Sequence, residues 1–228
     1  MRALLLAGGL GTRLRPLTYT VPKCLVPIKG RPLLELWLER LSEAGISQFL
    51  INTHYLADQV KKFIDASHYR ERVKLVHEQE LCGTAGTLIA NLDFFDECDG
   101  LLIHADNYCL ADLKAFFQAH QNRPSECLMT MMTFRTDTPS ECGIVELDGR
   151  GVVVGFHEKT SCPPGNLANG AVYILTPEFM LQLGKSLNAT KDFSTEVIPF
   201  FVGRIYAYET TNLFMDIGTL RNYNSVNH

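Results

Sequence analysis

The run Leu6-Ala7-Gly8-Gly9-Leu10-Gly11-Thr12-Arg13-Leu14-Arg15-Pro16 constrains this chain more than any other segment. It is entered through Ala3-Leu4-Leu5-Leu6-Ala7, an unbroken apolar stretch of the length of a buried strand. Gly8, Gly9 and Gly11 then permit a sharp turn whose backbone N–H groups can approach an anion with no Cβ in the way. Thr12 adds a hydroxyl, and Arg13 adds a permanent charge on a fork that matches phosphate oxygens. A strand, a glycine turn and an arginine make a cradle for a triphosphate. The run is not a Walker A loop, since no Gly-Lys-Ser/Thr follows at the required spacing. The third glycine of the dinucleotide fingerprint is also missing.

The pattern Gly-Gly-x-Gly-Thr-Arg-Leu-x-Pro continues into Val21-Pro22-Lys23 and Leu25-Val26-Pro27. In this it resembles the signature of the sugar-1-phosphate nucleotidyltransferases, also called nucleoside-diphosphate-sugar pyrophosphorylases. The resemblance runs from Met1 to about Tyr223, with six motifs in order.

Size and composition suit one soluble α/β domain over residues 1–228, with a nucleotide part at about 1–135 and a sugar-phosphate part at about 136–228. A net charge of −4 argues against a nucleic-acid partner, which needs a basic face. No apolar run reaches membrane-spanning length and no signal segment is evident, so the expected location is cytoplasmic. Seven scattered cysteines without a Cys-x-x-Cys pair fit reduced thiols, most of them read as small core hydrophobes. A homodimer is compatible with the sequence.

Strand-like and helix-like segments alternate, the mark of a mostly parallel sheet with crossover helices, so the expected fold is Rossmann-like α/β. Pro32 opens a helix with Leu33, Leu34, Trp37, Leu38 and Leu41 on its buried face, and Gly45 ends it. Strands are expected at 48–53, 73–77, 101–105 and 127–134, and helices at 57–64, 85–92 and 110–120. After Pro139 the runs 143–147, 152–158 and 171–175 follow without a helix between the first two. Asp148-Gly149-Arg150-Gly151 is a hairpin signal, so a small antiparallel excursion covering the sugar site is expected. Thr176 caps a short helix, and strands at 205–208 and 214–217 precede a terminal helix.

The resemblance implies attack by a sugar-1-phosphate oxygen on the α-phosphorus of a nucleoside triphosphate, with release of pyrophosphate. Such a reaction needs cations, metal ligands and backbone donors rather than a histidine base. Arg13, Lys23 and Asp106 are the implied catalytic residues, and Leu6, Gly8, Gly9, Gly11, Thr12, Arg13, Gln79 and Gly83 the implied nucleotide contacts. Asp106 and Asp216 each follow an apolar strand and are implied ligands of Mg²⁺, a hard cation that takes oxygen donors. Either aspartate could instead cap a helix. Gly143, Glu158, Lys159 and Asn169 match the sugar-phosphate positions. The family pattern Asn-Ala-Gly-x-Tyr is here Asn169-Gly170-Ala171-Val172-Tyr173, with the glycine moved one place forward. In Glu78–Thr87, Gly83 is read as allowing close approach to the base, Thr84 as a helix cap and Cys82 as packing.

The Gly83-Thr84-Ala85-Gly86 form resembles guanylyltransferases for mannose or heptose 1-phosphate, which makes GTP the first expectation. Uridylyltransferases for sugar 1-phosphates, and cytidylyltransferases for non-sugar phosphates such as phosphocholine, are the alternatives. A nucleotide-sugar glycosyltransferase would carry Asp-x-Asp where this chain has Asp106-Asn107-Tyr108. An inactive regulatory relative would be expected to have lost some of Arg13, Lys23, Asp106, Lys159 and Asp216, and all five are present.

Overall fold

A computed structural model describes residues 1–227. The fold is Rossmann-like α/β, a mostly parallel sheet flanked by helices with an antiparallel excursion, as the alternation of segments implies. The chain forms two compact units interleaved in sequence. The first comprises Met1–Leu81, Ile103–Leu110 and the segment from Leu213; the second comprises Cys82–Leu102 and Ala111–Asn212. Among the described residues no helix is long and apolar enough to cross a membrane.

In the first unit, Arg2–Leu6, Phe49–Thr53 and Val73–His77 pair in parallel, with Leu6 opposite Asn52 and Asn52 opposite Val76. Their carboxyl ends therefore stand side by side. Crossover helices Leu33–Glu43 and Ala57–Ala66 join them. Leu33, Leu34, Trp37, Leu38 and Leu41 recur at helical spacing and are buried. The Trp37 indole N–H cannot be buried without an acceptor, and it donates to the Asn107 carbonyl at 2.8 Å. Gly45, at φ 98°, closes this helix, with Gly45 N–H donating to Ser42 O and Ile46 N–H to Leu41 O.

In the second unit, Gly143–Leu147 and Val153–Glu158 form the antiparallel hairpin, and Leu167–Leu175 runs antiparallel to Met129–Arg135. Ile205–Glu209 pairs in parallel with Met129–Arg135 on its other side. Asp148 builds the hairpin turn, its Oδ1 accepting from the N–H groups of Arg150 and Val152. Thr176 caps Pro177–Ser186 by accepting from Phe179 N–H, as expected. Asp112 caps Leu113–Gln121, so this helix begins after the expected Leu110.

Two expectations need correction. Thr84 is no cap: it lies within helix Gly83–Ile89, and its hydroxyl accepts from Phe193 N–H at 2.8 Å. The cysteines are not mostly core. Cys24, Cys109 and Cys127 are buried, Cys98 and Cys142 half-buried, and Cys82 and Cys162 exposed, so Cys82 does not serve as packing.

The moved glycine has a structural consequence. The strand pairing of Leu167–Leu175 breaks register between Asn169 and Tyr173, and Ala171 sits there at φ 51°. Asn169 holds this kink, accepting from Ala171 N–H at 2.9 Å and donating to the Tyr173 hydroxyl at 2.7 Å. A β-carbon in the left-handed region costs about 1–2 kcal/mol, part of which a glycine returns through its freer unfolded state. Ala171→Gly is expected to stabilise the protein by about 0.5–1 kcal/mol, read from the midpoint of equilibrium urea unfolding.

Candidate functional site

The glycine turn begins where strand Arg2–Leu6 ends. Ala7 N–H donates to Asn52 Oδ1 at 2.7 Å, and Asn52 donates to Glu78 Oε1 at 3.1 Å, so a buried polar relay across three strand ends fixes its entry. The glycines differ in their reasons. A β-carbon on Gly8 would press on Asn52, and Gly11 stands at φ 61° against Thr18, whose hydroxyl donates to Gly11 O at 2.7 Å. Gly9 is exposed, and a β-carbon there would meet nothing within 4 Å. The fold does not require a glycine at Gly9, and the space above its Cα is open. Leu6 is half-buried, and Thr12, Arg13 and Gln79 are exposed.

The turn leads to an unusual cluster of charge. Pro22, extended at ψ 142°, delivers Lys23 into a tight turn closed by Leu25 N–H on Pro22 O. There Lys23 is only 7 % exposed, with its β-carbon in the space that a side chain on Gly11 would need. Its ammonium donates to Asp106 Oδ2 at 2.6 Å and to Asp216 Oδ1 at 3.2 Å. Arg13 reaches Asp216 Oδ2 at 3.5 Å from the solvent side.

Two distant segments meet here because the short strands Asn107–Cys109 and Phe214–Asp216 pair antiparallel, with Asp216 opposite Asn107. Asp106 follows strand Gly100–His104, and its carbonyl accepts from Ile217 N–H. Neither aspartate caps a helix. The terminal helix is capped by Thr219, which accepts from Asn222 N–H at 3.2 Å. Sequence reading missed Gly218 and Asn222. A β-carbon on Gly218 would collide with the Asp216 carboxylate and the Arg13 guanidinium, and Asn222 anchors Asp216 by donating to its carbonyl at 2.9 Å.

Burial opposes the charged form of Lys23, but Asp106 and Asp216 outweigh it and raise its pKa. Burial likewise works against the Asp106 carboxylate, and Lys23 and His104 hold its pKa below the usual carboxylate range. Lys23 and Asp106 are therefore both charged at neutral pH.

In the second unit, Glu158 lies opposite Gly143 in the hairpin, and its carboxylate fills the space where a Gly143 side chain would stand. Lys159 follows at φ 47°, its N–H on Cys142 O and its exposed ammonium 3.4 Å from Glu158 Oε1. A non-glycine residue held in the left-handed region marks strain of the kind found at functional sites. Asn169 is next along the sheet, since its neighbour Ala168 pairs with Ile144. Gly83 belongs to this unit too. It turns at φ 80°, and the carbonyl of Lys191 occupies the space of its missing β-carbon, which is a local reason for this glycine. The expected residues thus fall into two groups, one in each unit.

Comparison with known proteins gives these parts a context. A family model described as "Nucleotidyl transferase" matches residues 2–228. The mannose-1-phosphate guanylyltransferase catalytic subunit beta of Drosophila pseudoobscura pseudoobscura is 32% identical over 97% of this chain and 60% of its own length. This chain spans 60–62% of the length of the curated relatives it matches. Among solved structures, HddC from Yersinia pseudotuberculosis complexed with GMP-PN aligns with a TM-score of 0.82 at 25% identity, covering 99% of this chain and 97% of that one. A Bacillus anthracis structure with bound sucrose aligns at TM-score 0.88 and 19% identity, over 100% of this chain and 94% of that one, and shows the shared fold.

Two outcomes follow from the geometry. Gly9→Ala is expected to change stability by less than about 0.5 kcal/mol yet weaken binding of inorganic tripolyphosphate, whereas Gly11→Ala costs about 1–3 kcal/mol; calorimetry and urea unfolding read the two effects. The pH dependence has two limbs. The depressed Asp106 contributes stability above about pH 4 that is lost as pH falls through its folded value. The raised Lys23 contributes stability below about pH 10 that is lost as pH rises through its folded value. Lys23→Met should flatten both limbs in unfolding measured across pH.

Proposed function

Since this chain belongs to the nucleotidyl transferase family, we propose that it transfers a nucleotidyl group from a nucleoside triphosphate to a sugar 1-phosphate, giving a nucleoside diphosphate sugar and pyrophosphate. The observation that carries this reading is buried Lys23, its β-carbon beside Gly11 of the glycine turn and its ammonium held between Asp106 and Asp216.

The nucleophile needs no general base, because a phosphate monoester loses its second proton near pH ~6. The barrier lies in bringing anions together and stabilising the leaving pyrophosphate, which calls for fixed positive charge. Lys23 supplies that charge from a desolvated position. Arg13, exposed on the turn, reaches toward the β- and γ-phosphates, and the N–H groups from Gly8 to Thr12 supply further donors. Leu6, Gln79 and Gly83 complete the nucleotide contacts, while Gly143, Glu158, Lys159 and Asn169 take the sugar phosphate.

Members of this family typically require a divalent cation. Asp106 and Asp216 fit Mg²⁺, since both are hard oxygen donors that already converge on one cationic group. When bound, Mg²⁺ would neutralise phosphate charge. GTP with mannose or heptose 1-phosphate is the pair we favour. Its support is the similarity to a mannose-1-phosphate guanylyltransferase subunit and to HddC complexed with GMP-PN, together with the Gly83-Thr84-Ala85-Gly86 form.

A pyrophosphate-release screen of four nucleoside triphosphates against a panel of sugar 1-phosphates and phosphocholine tests the reading. GTP with a manno-configured sugar should react fastest, and release with no pair would refute transferase activity. Lys159→Ala should raise KM for the sugar phosphate about tenfold or more, because an ammonium acts on the phosphate nearest it. KM for the triphosphate should move less than about twofold. Equal weakening of both substrates would contradict the assignment of Lys159.

A further inference from the structure

Two carboxylates placed to receive a divalent cation are, in this fold, already neutralised by the protein. Lys23 Nζ lies 2.6 Å from Asp106 Oδ2 and 3.2 Å from Asp216 Oδ1, and Arg13 takes the second oxygen of Asp216 at 3.5 Å. Two negative charges face two positive ones, so the cluster is balanced without a metal. Lys23 is the least able to leave for solvent, since its side chain is 8 % exposed against 69 % for Arg13. A divalent ion arriving alone would meet an ammonium on the same carboxylate oxygens, with like-charge repulsion in a partly desolvated setting.

We propose that Lys23 is the resident cation of the Asp106–Asp216 pair, so that the divalent ion is admitted only together with a polyphosphate. The polyphosphate accepts the Lys23 ammonium and frees the carboxylates for the metal. This rests on the reading of Asp106 and Asp216 as a cation site. Linkage then requires that metal and polyphosphate strengthen each other's binding by one factor. In this view Lys23 serves as a placeholder before substrate arrives and as a phosphate ligand afterwards, and metal entry becomes an ordered event.

The test uses the full chain and Mn²⁺ as a paramagnetic probe, with free Mn²⁺ read by electron paramagnetic resonance in the absence of nucleotide. Lys23→Met, which keeps most of the apolar stem and removes its charge, should bind Mn²⁺ at least tenfold more tightly than the unmodified protein. Lys23→Met with Asp216→Asn should lose that gain, and Lys23→Arg should not show it. If Lys23→Met is folded by circular dichroism and binds Mn²⁺ within twofold of the unmodified protein, the proposal is overturned. Should that variant fail to fold, the unmodified protein decides through the ¹⁵N signal of the Lys23 ammonium. Millimolar Mg²⁺ should leave it in place and Mg²⁺ with an unreactive α,β-methylene triphosphate should shift it; a shift with Mg²⁺ alone overturns the proposal. None of these readouts depends on turnover, so a failed pyrophosphate-release screen would be a separate result.

Discussion

A lysine ammonium withdrawn from water must be given anions, and in this protein that requirement organises the first unit. Lys23 has lost nearly all contact with solvent, so an absent carboxylate would leave a desolvation cost of several kcal/mol uncompensated. Asp106 and Asp216 meet it from segments far apart in the chain, and the geometry that brings them there follows from the need. The pairing of Asn107–Cys109 with Phe214–Asp216, the Trp37 bond to Asn107 and the bare Cα of Gly218 all serve one ion cluster. Such a cluster is a weak source of net stability, because much of its mutual attraction only offsets the cost of desolvation.

On the proposed function, the glycine turn and the cluster divide the work of binding anions. The turn offers backbone donors whose positions are set by the Asn52–Glu78 relay at the carboxyl ends of parallel strands, where open α/β sheets place their ligands. The cluster offers charge. Backbone donors would cost no side-chain entropy if a phosphate were bound there. In the second unit Lys159 and Ala171 both stand in the left-handed region, Lys159 next to Glu158 and Ala171 two residues after Asn169.

Much of this was legible in the residues. Apolar runs ending in glycine or aspartate gave strands of the right kind at nearly the right places, because burial on both faces leaves little choice of sequence. The convergence of Arg13, Lys23, Asp106 and Asp216 followed from motif resemblance, but their mutual contacts did not, since ion pairs across 83 and 193 residues leave no local trace. Gly218 and Asn222 were invisible for the same reason: their role is to make room for, and to anchor, a partner that only tertiary structure supplies. Gly83 carries a second reason that the sequence did not show. A glycine that suits a ligand also suits a neighbouring carbonyl, and here Lys191 stands in that space. Thr84 carried the composition of a cap and spent its hydroxyl on Phe193 instead.

The interleaving of the two units has a bearing on biosynthesis. A ribosome releases Lys23 and Asp106 early and Asp216 only after the whole of Ala111–Asn212 has emerged. Until then the ammonium has one anion where it requires two, and the short strand Asn107–Cys109 waits for its partner. The first unit therefore cannot close its charge cluster during translation ahead of the second. The cluster is complete only once the segment from Leu213 has been made and pairs with Asn107–Cys109.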